Sequence, residues 1–550
     1  MKKLPIVIAC FFVLFISARA NAQGWMWGTG STNSGTALEF YNIAKDGSGN
    51  IYEVGYNSGG LSTFGSITLS NSGGAQGVLA GVDSNGNYRW ALGTQGGSAF
   101  FYKVATDAYG NVYVLGSGNY GATNITFGSS TLPDTYYFCI KVDSTGNVIW
   151  FKPILPMMSG SVGTIAIGSS GDIYIAGNFN SPTLTIGSSV LTNTSSSGTS
   201  YDVFYAKYDS SLTPIWAKSF GGDSNEIATV ITVYGDSVIY IGGTDNSHTI
   251  HIGSFTLAEA GTQPFYITKI SGSGNPLWVR TVDGKESLYA TMNDIVADYN
   301  GNVYMLGSYA DTPFYFGPDV LPAVPCSNMF LAKYDSVGTP KWARTGPIFG
   351  RAFSAGIDRC GNLWTSGSYL SGCYLTDHLL LSEFDTSGVL EDTVRLAIGG
   401  DDESGLIVDN KGNILIGGDY TAHTVIAGHS LPASYGESYF FAKYKYDSGT
   451  CKHDTLIYIP LGQQLPDVKH GSISLYPNPA LEQCTVKNSQ PFSDGTFIEI
   501  FDVTGRLVKR IQLAGYETNI PLADLVGGLY LYQINDIERS YTNGKLVVIK

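Results

Sequence analysis

Charge is scarce in this 550-residue chain: Asp, Glu, Lys and Arg together make up 14% of it. A disordered chain would carry more charge and fewer aromatics than the 13% found here, so a folded protein is expected. After residue 22 there is no run of 18 apolar residues, so no membrane-spanning helix is expected in the remainder. Six cysteines follow that point (Cys139, Cys326, Cys360, Cys373, Cys451 and Cys484). None forms a CxxC pair, which argues against a zinc ribbon, and six are too few for a disulfide scaffold of this length. Cys360 and Cys373 flank one predicted strand, roughly 25 Å or more apart at about 3.3 Å per residue, and are not expected to pair with each other. HExxH, GxSxG and the GxxxxGK phosphate loop are all missing. Zincin, hydrolase-elbow and P-loop chemistry thus lack their sequence handles.

The first 22 residues differ from the rest. Lys2 and Lys3 precede an apolar run from Leu4 to Ile16, and the stretch ends Ala20-Asn21-Ala22. This is the pattern of a secretory signal peptide cut between Ala22 and Gln23. Cys10 lies inside the apolar run, with Phe11 to Phe15 after it, so it is not a lipobox cysteine. Residues 1–22 hold three cations and no acid, so cleavage takes Lys plus Arg from 31 to 28 against 45 acids, a net charge of −17. Such a chain repels phosphate backbones, and nucleic acid is not an expected partner.

Gly (69 residues) and Tyr (36) are abundant, with Val, Ile and Thr punctuated by Gly, Asn and Asp, as many short strands joined by tight turns require. One motif, Asp-x-x-Gly-Asn-Ile/Val-Tyr-x-x-Gly, starts at Asp46, Asp107, Gly168, Asp298, Asp358 and Asp409, with a degenerate copy from Gly235 to Gly243. The closing glycines are Gly55, Gly116, Gly177, Gly243, Gly307, Gly367 and Gly418, a period near 60 residues. A second motif, Lys-x-Asp-Ser-x-Gly-x-x-x-Trp, ends at Trp150, Trp216 and Trp342, with weaker copies at Trp90 and Trp278. Each unit reads as four antiparallel strands with a small hairpin between the second and third. Seven such units predict a seven-bladed β-propeller over residues 23–446, whose radial closure protects the sheet edges. Trp27 stands at the fourth-strand spacing with no third strand before it, and the seventh unit stops after Phe440-Phe441-Ala442-Lys443. The N-terminal strand is therefore expected to complete the last blade.

These repeats resemble the SBBP-type bacterial propeller repeat. The fourth-strand Trp is also similar to that of quinoprotein propellers, but their quinone or calcium pocket is not recognisable here, and no cofactor is expected. A linker at 447–471 leads to a different object at 472–550, which alone reads as a small β-sandwich. It carries Tyr476-Pro477-Asn478-Pro479, a hairpin turn containing Gly505-Arg506, Gly528 and Tyr530 in a Gly-x-Tyr strand, and the terminal Gly544-Lys545. In order and content these motifs resemble the type A C-terminal sorting domain of the type IX secretion system. That resemblance implies contact with the secretion machinery and delivery to the medium or outer surface of a Gram-negative bacterium.

No metal site is expected. His248 and His251, three apart on a strand, point to opposite faces. Cys451 and His453 fall in the linker, Asp401-Asp402-Glu403 reads as a solvated loop, and the repeated Asp turns lack the ligand order of an EF-hand. No catalytic pair emerges, so the chain reads as a non-catalytic binding module for protein or glycan. A glycan-active enzyme on a propeller scaffold and a structural surface spacer are the alternatives. The segments joining one blade to the next vary in every unit, and variable loops on rigid scaffolds concentrate binding residues. Met157, Met158, Phe349 and Arg351 are the candidate ligand contacts.

Overall fold

The computed structural model describes residues 24–445 and 474–548, apart from 36, 72, 119–123, 133–135, 156–159, 169, 196–199, 235–237, 259–264, 283–289, 299, 325–326, 359, 372–373, 398–403, 410, 421–423, 427–428, 433–436, 477–479, 493–495, 502–506, 524 and 536–539. The chain divides into two compact units, 1–463 and 464–550. Among the described residues no helix is long and apolar enough to cross a membrane.

The first unit holds seven four-stranded antiparallel blades, each in the order a-b-c-d, two of which continue into a neighbouring hairpin as six-stranded sheets. Blade one uses Leu38–Lys45, Ile51–Asn57, Gln76–Val82 and Tyr88–Gly93, and blade two Ala99–Thr106, Val112–Gly118, Tyr137–Val142 and Val148–Pro153. Blade three uses Ser161–Ile167, Ile173–Phe179, Asp202–Tyr208 and Pro214–Gly222, and blade four Glu226–Tyr234, Val238–Asp245, Phe265–Ser271 and Pro276–Val282. Blade five uses Thr291–Ala297, Val303–Tyr309, Asn328–Tyr334 and Pro340–Phe349, and blade six Ala352–Ile357, Leu363–Ser371, Tyr374–Phe384 and Leu390–Ala397. Blade seven takes strands a to c from Ser404–Val408, Ile414–Tyr420 and Ser438–Lys445, and strand d from Gly24–Asn33. Each strand a packs on the strand a of the next blade, and the seventh packs on the first, so the ring is closed.

The repeated residues are spent on this architecture. In the a–b turn, Asp46 Oδ1 accepts the amides of Ser48 and Asn50 at 2.9 Å, while Oδ2 accepts Asn50 Nδ2 at 2.7 Å and the Tyr52 hydroxyl at 2.8 Å. Asp107 and Asp298 repeat the set. The strand-c lysine adds an ion pair, Lys443 to Asp409 at 3.1 Å and Lys207 to Asp172 at 2.7 Å, and lies over the strand-b tyrosine, Lys141 on Tyr113 at 4.8 Å. These carboxylates are committed to donors of their own blade, which accounts for the Asp without a bound cation.

The closing glycine of the motif has a cause that only the register reveals. Strand a carries a one-residue bulge opposite it in blades one to six, at Tyr41, Tyr102, Gly163, Thr229, Asn293 and Phe353. The bulge drives a strand-a carbonyl onto the glycine. A Cβ on Gly243 would stand 1.8 Å from the Ile227 carbonyl oxygen, and one on Gly177 2.0 Å from that of Ser161. Gly243→Ala is therefore expected to cost at least about 2–3 kcal/mol in thermal or denaturant unfolding. Gly47→Ala, with nothing within 4 Å of the new atom, should change little.

Neighbouring blades are joined by the second motif. The strand-d Trp lies on the positive-φ glycine of the next blade's c–d turn: a Cβ on Gly146 would sit 2.9 Å from Trp90, on Gly338 2.8 Å from Trp278, and on Gly388 3.0 Å from Trp342. The indole also donates to that turn, Trp90 Nε1 to Ser144 O at 3.1 Å and Trp342 Nε1 to Thr386 O at 3.2 Å. The seam made by the chain ends repeats this contact, since Gly86 lies 2.8 Å from Trp27 by the same measure. Trp27 pairs with Lys443 as Trp150 pairs with Lys141, confirming the exchanged strand. Blade six departs: Asp392 takes the Trp position opposite Glu383, and Trp364, fully buried, faces Tyr444 at 6.5 Å, which in turn meets Trp25 at 5.2 Å.

The small b–c hairpins form in six blades, and in blade six strands b and c simply run on to pair Leu370 with Leu375. The segments after strand d are less free than their variability suggests. Gln95–Gly96 pairs with Ile125–Thr126 of blade two's hairpin, Gly221–Gly222 with Ile250–His251 of blade four's, and Ser31–Asn33 with Ser62–Phe64 of blade one's.

The second unit is a two-sheet β-sandwich, Ser474–Tyr476, Gln483–Phe492 and Gly515–Pro521 against Phe497–Phe501, Leu507–Gln512, Gly528–Asn535 and Ser540–Val548. Cys484, Val486, Ile498, Ile500, Ile520, Ile534 and Leu546 fill its core. Cys139 and Cys484 are free and buried, Cys360 is disulfide-bonded, and its partner lies outside the described residues.

Candidate functional site

Residues consumed by the repeat cannot also be a site, so the non-repeating polar and aromatic side chains are the ones with chemistry to spare. In each blade the b–c hairpin and the chain entering strand a lie on one face of the ring, and the Asp turns lie on the other. Blades one to three concentrate aromatic groups on the hairpin face. Tyr41 and Tyr56 stack at 5.9 Å and 22°, and Tyr56 meets Phe100 edge-to-face at 4.8 Å. The Tyr56 hydroxyl donates to Glu39 Oε1 at 2.5 Å. All four residues are half-buried, whereas Leu38 and Phe40, which alternate with them, are fully buried. Burial, the Glu39 hydrogen bond and the Glu39 and Glu437 charges all push the Tyr56 phenol up. Further round the face, Tyr136 packs on Tyr137 at 4.8 Å, and Tyr136 and Tyr201 are exposed. Burial pushes the Tyr137 phenol up to about 12, with Tyr136 and Tyr201 adding to it.

The sequence-derived contacts fare unevenly. Met157 and Met158 lie outside the described residues, but Leu155, which begins their segment, is buried in the cluster that includes Tyr137. Phe349 ends strand d of blade five opposite Asn328. Arg351 is exposed, directly before strand a of blade six. Phe220-Gly221-Gly222, in one of the variable segments joining blade to blade, is not surface loop but core and ladder: Phe220 is 4% exposed. Asp401-Asp402-Glu403 and Cys451 to His453 lie outside the described residues. His251 bonds Thr256 at 3.1 Å while His248 faces Asp223 at 3.3 Å, so the two rings diverge as expected. The tyrosines of the hairpin face were missed. Aligning the copies would have found them, because Tyr56 stands where the other blades carry Ser117, Asn178, Thr244, Ser308, Ser368 and Asp419.

One buried acid pair also breaks the repeat. Glu226 and Asp245 are register partners in blade four, both fully buried. The Gly222 amide donates to Glu226 Oε2 at 2.8 Å, and the Ser247 hydroxyl donates to Oε1. Burial first, with Asp245 adding to it and the Ser247 and Gly222 hydrogen bonds opposing, pushes the Glu226 carboxyl up to about 9. With no path to solvent the pair is structural. The folded protein keeps a proton there that the unfolded chain releases near pH 4.3. Stability from this group is therefore full below that pH and declines as pH rises towards 9, by up to about 1.4 kcal/mol per unit. Glu226→Gln should remove that slope, read as the difference in unfolding free energy between the two proteins at pH 5, 7 and 9. An identical pH profile in the variant would show that Glu226 is ionised when folded.

In the sandwich, Tyr476 is half-exposed with its hydroxyl 3.3 Å from Glu517, and the buried Tyr530 donates to the Val526 carbonyl at 2.7 Å. Gly528 opens its strand with open space around it, and Gly544 and Lys545 pair with Tyr532 and Leu531. Pro477, Asn478, Pro479, Gly505 and Arg506 lie outside the described residues, as do Ala22 and Gln23.

A ring of four-stranded blades joined to a compact C-terminal β-sandwich is the architecture of a repeat protein with a separate address domain. Residues 474–550 match the family of secretion system C-terminal sorting domains, so the chain carries a type IX sorting domain. It engages that secretion machinery and is exported to the cell surface or medium. The chain is similar to an uncharacterized WD repeat-containing protein of Acanthamoeba polyphaga mimivirus, 26% identical over 47% of this chain and 23% of that protein. The chain thus spans about a quarter of the length of that relative. Among solved structures, the Pan2 WD40 domain of Neurospora crassa covers 76% of this chain and 91% of its own, at 8% identity and a TM-score of 0.38. PorZ, a surface component of the type-IX secretion system of Porphyromonas gingivalis, covers 94% and 100% at 10% identity and a TM-score of 0.18. The fold assignment rests on the strand topology itself.

Proposed function

We propose that the propeller is an exported, non-catalytic binding module that meets a surface protein or glycan with its hairpin face. The observation that carries this reading is the asymmetry of that face. Half-buried Tyr41, Tyr56 and Phe100 and exposed Tyr136 and Tyr201 line this face on blades one to three, with Tyr315 exposed on the blade-five hairpin, while on the opposite face, where Tyr109 is exposed, the turn carboxylates are engaged within their own blades. Rigid aromatic side chains at the rim of a fixed scaffold are favoured contact residues. The proposed ligand face comprises Tyr136, Tyr201 and Arg351, together with Met157, Met158 and Phe349. Replacing Tyr136, Tyr201 and Arg351 with Ser should abolish capture of a partner from cell-surface extracts while circular dichroism and export stay unchanged. A folded triple variant with an unaltered capture profile removes this face from consideration.

A further inference from the structure

Glu39, Tyr41, Tyr56 and Phe100 form a corner on the hairpin face between blades one and two, and of these only Tyr41, at the strand-a bulge, stands where other blades also carry an aromatic ring. In three other blades the residue at the Tyr56 position latches the next blade by accepting a strand-a amide. Asn178 Oδ1 accepts Ala228 N at 2.8 Å, Ser308 Oγ accepts Ala352 N at 3.0 Å, and Asp419 Oδ1 accepts Phe40 N at 2.8 Å. Tyr56 gives up this task and directs its hydroxyl to Glu39 within its own blade. Tyr41 occupies the strand-a bulge, as Tyr102 and Phe353 do in blades two and six, whereas blades three to five fill it with Gly163, Thr229 and Asn293.

We propose that this corner binds a cationic side chain, the ammonium or guanidinium of a basic segment on a protein partner. The assignment rests on the hairpin face being the binding face and names the chemistry it selects. Ring faces attract cations through their quadrupole, by about 0.5–1 kcal/mol when exposed and about 2 when desolvated. The Glu39 carboxylate hydrogen-bonded to the Tyr56 phenol makes that ring more electron-rich, and its second oxygen offers a charged acceptor to an N–H donor. Glu437 lies close enough to bias the same phenol. The exported chain, at −17, draws cations towards it and repels anions. A neutral sugar could stack on Tyr41 but would gain nothing from the paired charge.

The test titrates the full-length exported protein with hexaarginine and hexalysine peptides, a Gly-Ser peptide of equal length and a neutral hexasaccharide, at low and high salt. Expected are saturable binding of the basic peptides, weakening with salt, and about a tenfold loss of affinity in both Glu39→Gln and Tyr41→Ser. Glu391→Gln, which removes one exposed acid from blade six, controls for net charge and should keep the affinity. Equal losses in Glu391→Gln and Glu39→Gln, or unchanged binding in folded Tyr41→Ser, overturn the proposal. Tighter binding of the hexasaccharide than of the basic peptides, unaffected by Glu39→Gln, overturns it in favour of a glycan. If the Tyr136, Tyr201 and Arg351 variant loses its partner while no basic peptide binds, the face reading stands and this one falls.

Discussion

Deleting residues 24–30 is expected to abolish cooperative unfolding of the propeller, or to lower its midpoint by about 10 °C or more. Those residues supply strand d of blade seven, paired with Lys445 through Phe440. Their loss bares the edge of Ser438–Lys445 and removes Trp25 from Tyr444 and Trp27 from Gly86. Trp25 and Trp27 are partly buried, so each costs less than the about 3–5 kcal/mol of a fully buried aromatic, but the lost strand pairing adds to them and a folded domain has only about 5–15 kcal/mol in hand. Calorimetry of the shortened protein, with and without a synthetic peptide of residues 24–33, separates strand loss from misfolding, because the peptide should restore the midpoint. An unchanged midpoint without peptide would show that the ring does not need its N-terminal strand.

Replacing Glu53 with Val should raise stability by about 1–3 kcal/mol, an unusual direction for a core substitution. Glu53 lies in strand b of blade one, fully buried beside the closing seam. Its position is apolar in most other blades: Val114, Ile175, Ile241, Met305 and Ile416. Its carboxyl oxygens make no hydrogen bond of good geometry, and the Tyr88 hydroxyl beside it is near enough only to lower its proton affinity slightly against the effect of burial. Burial drives its proton affinity well above the usual carboxylate range, so folding favours the protonated form. As pH rises from the ordinary carboxylate value, the unfolded chain ionises first, and this site destabilises the fold progressively. Denaturant titration of Glu53→Val at pH 5 and pH 8 should show a gain at both, larger at pH 8. A loss at either pH would mean that the carboxyl has a partner worth keeping.

The sequence was most informative where it repeated itself. Seven copies of one turn and six tryptophans at one spacing announced the blades, the exchanged strand and the hairpins, because each copy is an independent sample of the same geometry. Gly243 and Gly177 were legible as repeat positions, but their cause was not, since a bulge in the partner strand exists only once the register is set. The site was harder for a related reason. Variability marked the segments after strand d as loops, yet Gly221 and Gly222 vary while pairing with the next blade's hairpin. Tyr41 and Tyr56 hid in regular strands, where an aromatic residue is ordinarily core. Leu212 shows the limit from the other side: it holds a glycine position at φ 63° with its side chain buried, a substitution the turn pattern alone would forbid.

The exchanged strand also sets a clock. Ser31 and Tyr439, hydrogen-bonded across the closing sheet, are 408 residues apart in the chain. Contacts of such separation form late, after local hairpins and individual blades. The N-terminal strand leaves the ribosome first and finds its partner among the last residues of the ring. Until residues 438–445 are available, six blades must wait with one flank uncovered and the first strand unattached. Until its far end is made, the ring is thus an open arc whose bare edges are softer to proteases than the closed propeller.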